Sequence, residues 1–555
     1  MSSDKRQQQY KLAIEYEIPV KCIFVTGGVL SGLGKGVAAA SIGHLLSDSY
    51  RCIPVKCDGY LNTDPGTMNP VEHGEVFVLE DGGEVDMDFG HYERFMRVQC
   101  KSSWSLTMGK VFMRVVDAER RGDYLGKTVQ FIPHVTNVIK AWWHEIAQTE
   151  RADILIVEIG GTVGDLENEM YIEAARQLQL ELGHENVLFA HLTYVPMLAN
   201  VHEQKSKPSQ QSVAMLRSRG INPDIILARS EDALDDSIRA KIALFSSVPS
   251  TNVISVPDVP DVYLLPRVIA DQGIIDVINT TLNLNAQYES TVWSEALSTL
   301  KKPRAQITVG IAGKYTKLED SYASITEALK HCAARTGASV MIRWIDASAI
   351  HTDTDARKAL DDVDAVIVPG GFGDRGIDGK IRIITQCRER NIPFLGICYG
   401  MQLAVVEFAR NVCDMQLAHT TEVEPATPHP VVDYLPGQQG IQRKGGTMRL
   451  GGYDAHVKEG TLVHTMYGAV ARERHRHRYE VNPRYHTPLQ DRGLVFSALS
   501  LDGSLAEFLE LPSHPYFVGT QAHPELTSTL ERPAPLFLGL VEAALLHQKT
   551  TVSFL

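Results

Sequence analysis

Residues 21–46, KCIFVTGGVLSGLGKGVAAASIGHLL, combine an apolar strand, a glycine-rich turn and a buried helix. The run KCIFVTGG is apolar up to its final glycines, which is typical of a buried strand, and the Ala, Ile and Leu spacing of GKGVAAASIGHLL favours a buried helix. Glycines between the two allow positive φ and close approach of a ligand to the backbone. Since the first N–H groups of a helix attract anions, the unit predicts a phosphate site, with a triphosphate as the expected occupant.

The alternation of strands and helices continues along the chain. The apolar runs RADILIVEIGG, NVLFAHLTYVP and PDIILARS alternate with helical stretches such as IEAARQLQLELG, which predicts a parallel sheet covered by helices. The strands ITVGIAGKY, DAVIVPGG, IPFLGIC and YFVGTQAHP repeat this alternation further on. We therefore expect an α/β protein with two domains, each a mainly parallel sheet flanked by helices, the first P-loop or Rossmann-like.

The length of the chain agrees with two domains. Its 555 residues exceed the ~250 to 300 residues at which single cores stop growing. We expect a polar tail over residues 1–16, a first domain over 17–284, a connection over 285–304, a second domain over 305–548 and a short tail over 549–555.

Charge and cysteine usage exclude several classes of protein. A net charge of −13 argues against nucleic acid as a partner, because counterion release from a nucleic acid needs a surplus of Lys and Arg across a surface, but local basic pockets for a nucleotide remain possible. The eight cysteines form no CxxC pair, so neither a zinc site nor a disulfide framework is indicated, and a cytoplasmic location is expected. The amino terminus lacks the apolar core of a signal peptide, and no apolar run of about 18 residues occurs, so no membrane association is expected.

The glycine-rich loop departs from the usual P-loop. Five residues instead of four separate Gly28 from Gly34 and Lys35, and Gly36 stands where a Ser or Thr would bind magnesium. On this segment alone, a turn that merely packs a helix onto a sheet remains an alternative.

A magnesium ion would therefore need oxygen ligands from elsewhere, and it favours one or two carboxylates with phosphate oxygens. Glu158, which closes the apolar run DILIVE, and Asp88, within GGEVDMDFGHYERF, are the candidates. Without further support, the acidic stretch around Asp88 would be interpreted as a solvated loop.

A second chemical site is indicated by FLGICYGMQLAVVEFARN, which places Cys398 in the G-x-C-x-G form of a nucleophile elbow. The start of a helix favours the reactive thiolate. His523 and Glu525 in QAHPE lie two residues apart, hence on one face, and would act as base and orienting carboxylate. The N–H groups of Gly371 and Tyr399 could bind the oxyanion of a tetrahedral intermediate. The other seven cysteines are interpreted as inert packing.

These blocks resemble a known family. VTGGVLSGLGKG, NTDPGTMNPVEHGEVFVLEDGGEVDMDFGHYERF, ERRGDYLGKTVQFIPH and VEIGGTVGD, followed by KSKPSQQS and RAKIALF, look like the synthetase domain of CTP synthases. PGGFG, GICYGMQ and HPE resemble the triad-type class I glutamine amidotransferases. The similarity covers essentially everything from Ile23 onward.

The resemblance implies a ligase that aminates UTP to CTP with ATP, through a 4-phosphorylated UTP, using ammonia from glutamine. It also implies magnesium held by Asp88 and Glu158, GTP as allosteric activator, CTP as feedback inhibitor, and a homotetramer that sometimes forms filaments.

The resemblance further assigns binding residues. For ATP it implies Gly32, Leu33, Gly34, Lys35, Gly36, Val37, Lys56, Asp88, Arg229 and Val259. For UTP and CTP it implies Ser31, Asp165, Leu166, Glu167, Lys205, Ser206, Lys207, Pro208, Ser209, Gln210 and Lys241. For glutamine it implies Gly371, Tyr399, Gly400, Met401, Gln402, Glu422 and Arg478. For an enclosed ammonia path it implies Pro70, Val76 and Leu125.

Three positions depart from the family pattern. Gly59 stands in place of a proline, Gln211 in place of a histidine or asparagine, and Tyr399 in place of a leucine. None of them removes a required charge.

Two other functions remain open. Another glutamine-dependent amidoligase would use a carboxylate acceptor, against which KSKPSQQS and RAKIALF argue. A retired enzyme acting as a nucleotide-sensing scaffold would not need the intact Cys398, His523 and Glu525.

Overall fold

The computed structural model of the protein describes residues 20–68, 74–198, 200, 202–289, 291–314, 319–435, 438 and 446–553. The tail expected over 1–16 and Pro70 of the expected ammonia path lie outside these residues. The described residues form two compact units, those within 1–63 and 103–289 making up the first and those within 64–102 and 290–555 the second.

The strands follow the sequence patterns closely. In chain order they are β1 (Lys21–Gly27), β2 (Cys52–Asp58), β3 (Phe77–Val78), β4 (Glu84–Val85), β5 (Ser105–Thr107), β6 (Ile154–Ile159), β7 (Val187–Tyr194), β8 (Met197–Leu198), β9 (Glu203–Gln204), β10 (Ile225–Ser230), β11 (Val253–Pro257), β12 (Ala305–Gly313), β13 (Ala338–Asp346), β14 (Ala365–Val368), β15 (Phe394–Ile397), β16 (Ala418–Thr420), β17 (His429–Tyr434), β18 (Arg449–Val457), β19 (Val470–His477), β20 (Tyr479–Val481), β21 (Val495–Ser500), β22 (Ala506–Glu510) and β23 (Phe517–Thr520).

The helices connect and cover these strands. They are α1 (Lys35–Leu46), α2 (Asp88–Met96), α3 (Met108–Arg120), α4 (Thr136–Glu150), α5 (Glu169–Leu182), α6 (Lys207–Ser218), α7 (Asp236–Ser246), α8 (Leu265–Ala270), α9 (Ile274–Leu282), α10 (Thr291–Lys301), α11 (Ala323–Thr336), α12 (Asp353–Ala359), α13 (Ile377–Arg390), α14 (Tyr399–Asn411), α15 (Leu462–Tyr467), α16 (His486–Gln490) and α17 (Pro535–Ser553). Within the described ranges, none of them is both long and apolar enough to cross a lipid bilayer.

The first unit is built on a parallel sheet. Its strand order over the described residues is β11-β10-β7-β1-β6-β2-β5, and every pairing is parallel. Strand β1 lies between β7 and β6, with Val25 opposite both Ala190 and Glu158. Helices on both faces bury such strands completely, which explains why they are apolar runs without alternation.

The second unit has a mixed sheet. Its order over the described residues is β13-β12-β14-β15-β23-β22-β21-β18-β19, with parallel pairing from β13 to β23 and antiparallel pairing from β23 to β19. Along β14, Ala365 and Ile367 enter one hydrophobic core, and Val366 and Val368 enter the core on the opposite face. The predicted α/β class is confirmed, and the antiparallel half is an addition that the sequence analysis did not identify.

Residues 64–102 pack with the second unit, although they lie within the sequence range expected for the first domain. Arg94 on α2 donates a hydrogen bond to Ser324 at 2.7 Å. Phe95 contacts Trp293 edge-on, with the ring centroids 5.2 Å apart. The first domain expected over 17–284 is therefore interrupted, because residues 64–102 belong to the second unit. These residues form the hairpin β3-β4 and helix α2.

The connection expected over 285–304 contains helix α10. Trp293 on this helix is only 2% exposed. The helix therefore contributes a core residue to the second unit.

We expect Trp293→Ala to destabilise the second unit by about 3 to 5 kcal/mol, because the truncation leaves a large cavity. Val292, the preceding residue, is 50% exposed, so Val292→Ala should change the free energy of unfolding by less than about 0.5 kcal/mol. Equilibrium urea unfolding followed by circular dichroism measures both. Equal effects of the two substitutions would contradict the assignment of Trp293 to the core.

Candidate active sites

The glycine-rich loop joins the carboxyl end of β1 to α1. Gly32 and Gly34 have φ of +75° and +90°, a region that glycine adopts at little cost. Gly34 immediately precedes α1, so the first N–H groups of the helix are presented at this loop. Of the residues predicted to bind nucleotide in this segment, three are exposed: Ser31, Gly32 and Gly34. Leu33, Lys35 and Gly36 are buried, and Val37 is half-buried.

Lys35 links the loop to the neighbouring strand. Its side chain is largely buried, and Nζ donates a hydrogen bond to the carbonyl of Gly161 at 2.7 Å. Gly161 follows β6, which is the parallel neighbour of β1. The cation is thus held at the carboxyl edge of the sheet, where ligands of α/β proteins bind.

A buried ion pair occupies the adjacent position. Lys56 on β2 and Glu158 on β6 are opposite each other in the sheet, and Lys56 Nζ lies 2.8 Å from Glu158 Oε1. Asp58 Oδ1 lies 3.9 Å from the same Nζ. Both members of the close pair are buried, so each charge is compensated by the other as burial requires.

The two magnesium candidates belong to different units. Glu158 is the penultimate residue of β6 in the first unit, and Asp88 is the first residue of α2 in the second. Both are carboxylates at the ends of regular elements, which fits the oxygen ligands that magnesium prefers. Among the described residues, no group of three or more His, Cys, Asp and Glu is arranged to hold a metal ion, but magnesium bound with a triphosphate needs only one or two carboxylates.

The segment after β7 contains most of the residues assigned to UTP. Ser209 Oγ donates to the carbonyl of Tyr194 at 3.0 Å, and Gln210 Nε2 donates to Ser206 Oγ at 3.0 Å. Lys205 pairs with Glu203 at 2.6 Å. Lys207 and Pro208, which are also assigned to UTP, lie in the first turn of α6.

The turn after β6 carries Asp165, Leu166 and Glu167. Asp165 accepts the N–H of Thr162 at 2.7 Å, and Leu166 is 83% exposed. A Cβ atom at Gly59 would lie 2.7 Å from Glu167 Cβ. The glycine that replaces the family's proline therefore leaves room for this turn.

The ends of β10 and β11 contribute the other predicted positions. Arg229 on β10 donates to the carbonyl of Pro257 at 2.9 Å and pairs with Asp258 at 2.6 Å. Val259, just after β11, is half-buried, and Lys241 is exposed on α7. Because β1, β2, β6, β7, β10 and β11 are all parallel, the residues at their carboxyl ends meet at one edge of the sheet.

The sequence analysis missed His191 in this unit. Its Nδ1 lies 2.8 Å from Thr26 Oγ1 on β1, and its Nε2 lies 2.8 Å from Ser212 Oγ on α6. Burial, with a smaller contribution from Lys35, lowers the pKa of His191 to about 3, so the imidazole is neutral. A Cβ at Gly28 would come within 1.8 Å of Ser212 Oγ, which explains the glycine there. The sequence offered one signal for His191, which is that a polar histidine interrupts the apolar run VLFAHLTY.

In the second unit, Cys398 lies at the expected elbow between β15 and α14. It has φ +50° and ψ −101°, a strained conformation for a residue with a side chain. A Cβ at Gly396 would lie 2.8 Å from the backbone of Gly400, and one at Gly400 would lie 2.0 Å from the carbonyl of Val368. The two flanking glycines are therefore required by the close approach of the backbone segments.

The structure brings His523 and Glu525 together with this cysteine. His523 Nδ1 and Glu525 Oε1 are 2.7 Å apart. Burial by itself lowers the pKa of His523, but the charges of Glu525 and Cys398 outweigh burial and raise that pKa to about 10. The Cys398 sulfur accepts a hydrogen bond from Gln521 at 3.5 Å and donates to the carbonyl of Arg476 at 3.8 Å.

The loop of residues 370–376 follows β14 and begins next to His523 and Cys398. A Cβ at Gly370 would lie 2.8 Å from His523 Cε1, so only glycine allows this approach. The Gly373 N–H donates to Glu422 Oε1 at 2.9 Å, and the Tyr399 hydroxyl donates to the Gly373 carbonyl at 2.9 Å. Burial raises the pKa of Glu422. The tyrosine that replaces the family's leucine thus holds the loop that carries Gly371.

The other residues assigned to glutamine surround the elbow. Gln402 is buried on α14 and donates to the carbonyl of Tyr479 at 2.8 Å. Arg478 donates to Gln438 at 2.7 Å and to Thr447 at 3.1 Å. Gly400 and Met401 form the first turn of α14 with Tyr399. The contacts of Gln521 and Arg476 with Cys398 were missed, although Gln521 begins the segment QAHPE and Arg476 lies within RERHRHRYE, because neither pattern shows which residue meets the thiol.

The chain is similar to known protein families over both units. Residues 21–284 match the family model described as the CTP synthase N-terminus, and residues 317–543 match that of the class-I glutamine amidotransferases.

Curated relatives are similar over nearly the whole length. A CTP synthase of Methanopyrus kandleri is 51% identical over 530 residues, which is 95% of this chain and 99% of the relative. A CTP synthase of Thermococcus kodakarensis is 52% identical over 528 residues, covering 94% and 98% of the two chains. One of Borreliella burgdorferi is 49% identical over 534 residues, covering 95% and 99%. Among solved structures, the glutaminase domain of Trypanosoma brucei CTPS with bound acivicin is 34% identical, covers 43% of this chain and 94% of that domain, and has a TM-score of 0.41.

We expect Gly400→Ala to destabilise the second unit by about 3 kcal/mol, because the added methyl group would overlap the Val368 carbonyl. Gly373→Ala is the comparison: its Cβ would meet no atom within 4 Å, so only the positive φ is penalised, by about 1 to 2 kcal/mol. Urea unfolding distinguishes the two. A smaller cost at Gly400 than at Gly373 would contradict the packing of the elbow.

We expect Glu525→Gln to slow alkylation of Cys398 by iodoacetamide at neutral pH. Loss of the carboxylate lowers the pKa of His523, so the imidazolium that stabilises the thiolate is less populated. In the wild type the imidazolium of His523 is populated below its raised pKa of about 10 and is lost as the pH rises through that value. The ratio of wild-type to variant rates should therefore shrink as the pH approaches 10. A constant ratio between pH 6 and 10 would contradict the assignment of Glu525.

Proposed function

The chain belongs to the CTP synthase family, and from this premise we propose that it aminates UTP to CTP with ATP, using ammonia that it releases from glutamine. The observation that carries the proposal is the Cys398–His523–Glu525 arrangement in the second unit of a chain whose first unit has a phosphate loop with a buried lysine. One chain thus has the groups for both half-reactions.

Glutamine hydrolysis follows from the geometry around Cys398. The thiolate attacks the carbon of the side-chain amide, and the N–H groups of Gly371 and Tyr399 stabilise the oxyanion. His523 delivers a proton to the departing nitrogen, so ammonia leaves and a glutamyl thioester remains. A water molecule, deprotonated by the now neutral His523, then attacks the thioester carbon and breaks the carbon–sulfur bond, which gives glutamate and restores the thiolate and the imidazolium.

The acceptor chemistry explains the need for ATP. The 4-oxygen of uracil is a poor leaving group, and its phosphorylation creates one that ammonia can displace. Lys35 supplies positive charge at the carboxyl edge of the first sheet, where the triphosphates would bind, and Lys56, whose charge is paired with Glu158, is assigned to the same site. Asp88 and Glu158 would hold magnesium, which neutralises phosphate charge when bound.

The ligand assignments extend this proposal. UTP would contact Ser31, residues 205–210 and Lys241, and CTP would share the region that includes Asp165 and Glu167. Glutamine would be held by Glu422 through its ammonium group and by Arg478 through its carboxylate, as charge complementarity favours. Ammonia would travel through an enclosed path, because the free base is protonated in bulk water.

Regulation and assembly complete the proposal. GTP would activate glutamine hydrolysis, CTP would inhibit by feedback, and the chain would form a cytoplasmic homotetramer that can join into filaments. Exposed apolar side chains on the first unit support assembly: Met113 and Val116, one turn apart on α3, are 55% and 56% exposed, and Phe131 is 61% exposed. Exposed apolar patches mark interfaces more often than free surface.

The proposal is tested by measuring CTP formation from UTP and ATP with either glutamine or ammonium as the nitrogen source. Cys398→Ala should lose glutamine-dependent synthesis by at least about 1,000-fold, because no nucleophile remains, and should keep ammonium-dependent synthesis.

Lys35→Met is the reciprocal variant, because it removes charge from the phosphate loop and leaves the elbow intact. It should lose synthesis from both nitrogen sources. A wild-type chain that forms CTP from neither source would contradict the proposal and favour an amidoligase with a carboxylate acceptor or a nucleotide-sensing scaffold.

A further inference from the structure

Strand β19 lies at the edge of the sheet of the second unit in the described part of the chain, with β18 as its neighbour. An edge strand has backbone groups that no further strand pairs. Two of them contact the catalytic residues. The carbonyl of Arg474 accepts the backbone N–H of His523 at 2.8 Å, and the carbonyl of Arg476 accepts the Cys398 thiol at 3.8 Å. The position of β19 therefore affects both the nucleophile and the base.

The side chains of the same two arginines contact residues 64–102. Arg474 Nη1 donates to Glu93 Oε2 at 2.8 Å, and Arg474 Nη2 donates to Glu93 Oε1 at 3.1 Å. Arg476 Nε donates to Glu84 Oε1 at 2.9 Å. Arg474, Glu93 and Glu84 are all buried. The edge strand is thus held to residues 64–102 by ion pairs of its side chains.

A guanidinium that meets a carboxylate through two parallel hydrogen bonds has little orientational freedom. The Glu93 end is itself fixed, because Oε1 also accepts the N–H of Cys100 at 2.9 Å. The Arg474 end is fixed by a further hydrogen bond to the carbonyl of Val78 at 3.1 Å. Burial strengthens these contacts, since little water screens the charges.

We propose that Glu93 and Glu84 are positioning residues for glutamine hydrolysis. Their ion pairs with Arg474 and Arg476 hold β19 so that its carbonyls align His523 and Cys398. Neither carboxylate takes part in the bond-making steps. The inference rests on the proposed function for its kinetic test, but its chemical test needs only the reactivity of Cys398.

Glu93→Gln keeps the shape of the side chain and removes its charge. We expect the rate of Cys398 alkylation by iodoacetamide at pH 7 to fall about 10-fold, and kcat for glutamate release to fall about 10- to 100-fold, as small misplacements of reacting groups do. The KM for glutamine should change less than about threefold, because no predicted glutamine contact is altered. Ammonium-dependent CTP formation should stay unchanged.

Glu531→Gln is the matched control. Glu531 pairs with Arg97, so it also joins residues 64–102 to the rest of the second unit, but without touching β19. This variant should alkylate and hydrolyse glutamine at the wild-type rates. Cys398→Ala gives the background from the other cysteines.

Glu84→Gln is the second test, and its alkylation rate and kcat test the proposal if Glu93→Gln does not fold. Wild-type alkylation and kcat in a folded Glu93→Gln or Glu84→Gln variant would overturn the proposal. An equal loss in Glu531→Gln would also overturn it, because the effect would then be general loosening of the segment. If the wild type releases no glutamate while the alkylation differences persist, the proposed function fails and the positioning role stands.

Discussion

Parallel strands in one sheet all end at the same edge, and both candidate active sites of this protein depend on that constraint. In the first unit, the strands β1, β2, β6, β7, β10 and β11 bring their carboxyl ends together, so residues far apart in sequence share one edge. In the second unit, β14, β15 and β23 do the same for the loop after Val368, for Cys398 and for the segment that leads to His523. The strands are rigid because they are buried on both faces, and the loops that follow them carry the reactive groups.

The loops at the carboxyl ends of β14, β15 and β23 also depend on close approach of backbone segments. The elbow at Cys398 lies against the carbonyl of Val368, and Gly370 lies against the ring of His523, with no room for a Cβ at Gly400 or Gly370. The two glycines therefore allow the loop after β14, the Cys398 elbow and His523 to approach one another. Tyr399 adds a hydrogen bond to the same loop, which a leucine could not make.

Buried charges connect the reactive groups to the rest of each unit. Lys56 and Glu158 compensate each other between adjacent strands of the first unit, and Arg474 and Glu93 do so in the second. Such pairs add little net stability, but they fix orientation because an unpaired partner would be costly. Helix α2 begins at Asp88 and carries Glu93, so a single short helix has both a candidate metal ligand and a contact to the edge strand β19.

The sequence by itself determined the α/β class and the strands around the two glycine-rich turns, and it led to the prediction that Cys398, His523, Glu525 and Lys35 are functional groups. These features depend on local patterns: apolar runs, turn glycines and short motifs are all set by neighbouring residues. The family resemblance added the nucleotide and glutamine assignments, which local patterns do not contain.

Only the tertiary structure decided that residues 64–102 pack with the second unit, that its sheet continues as an antiparallel half, and that His191, Gln521 and Arg476 support the sites. Each of these depends on contacts between residues that are far apart in the chain. Arg474 and Glu93, for example, are 381 residues apart, and the pattern RERHRHRYE shows only a cluster of charge. Which charges are buried, and with which partners, follows from packing and from no local pattern.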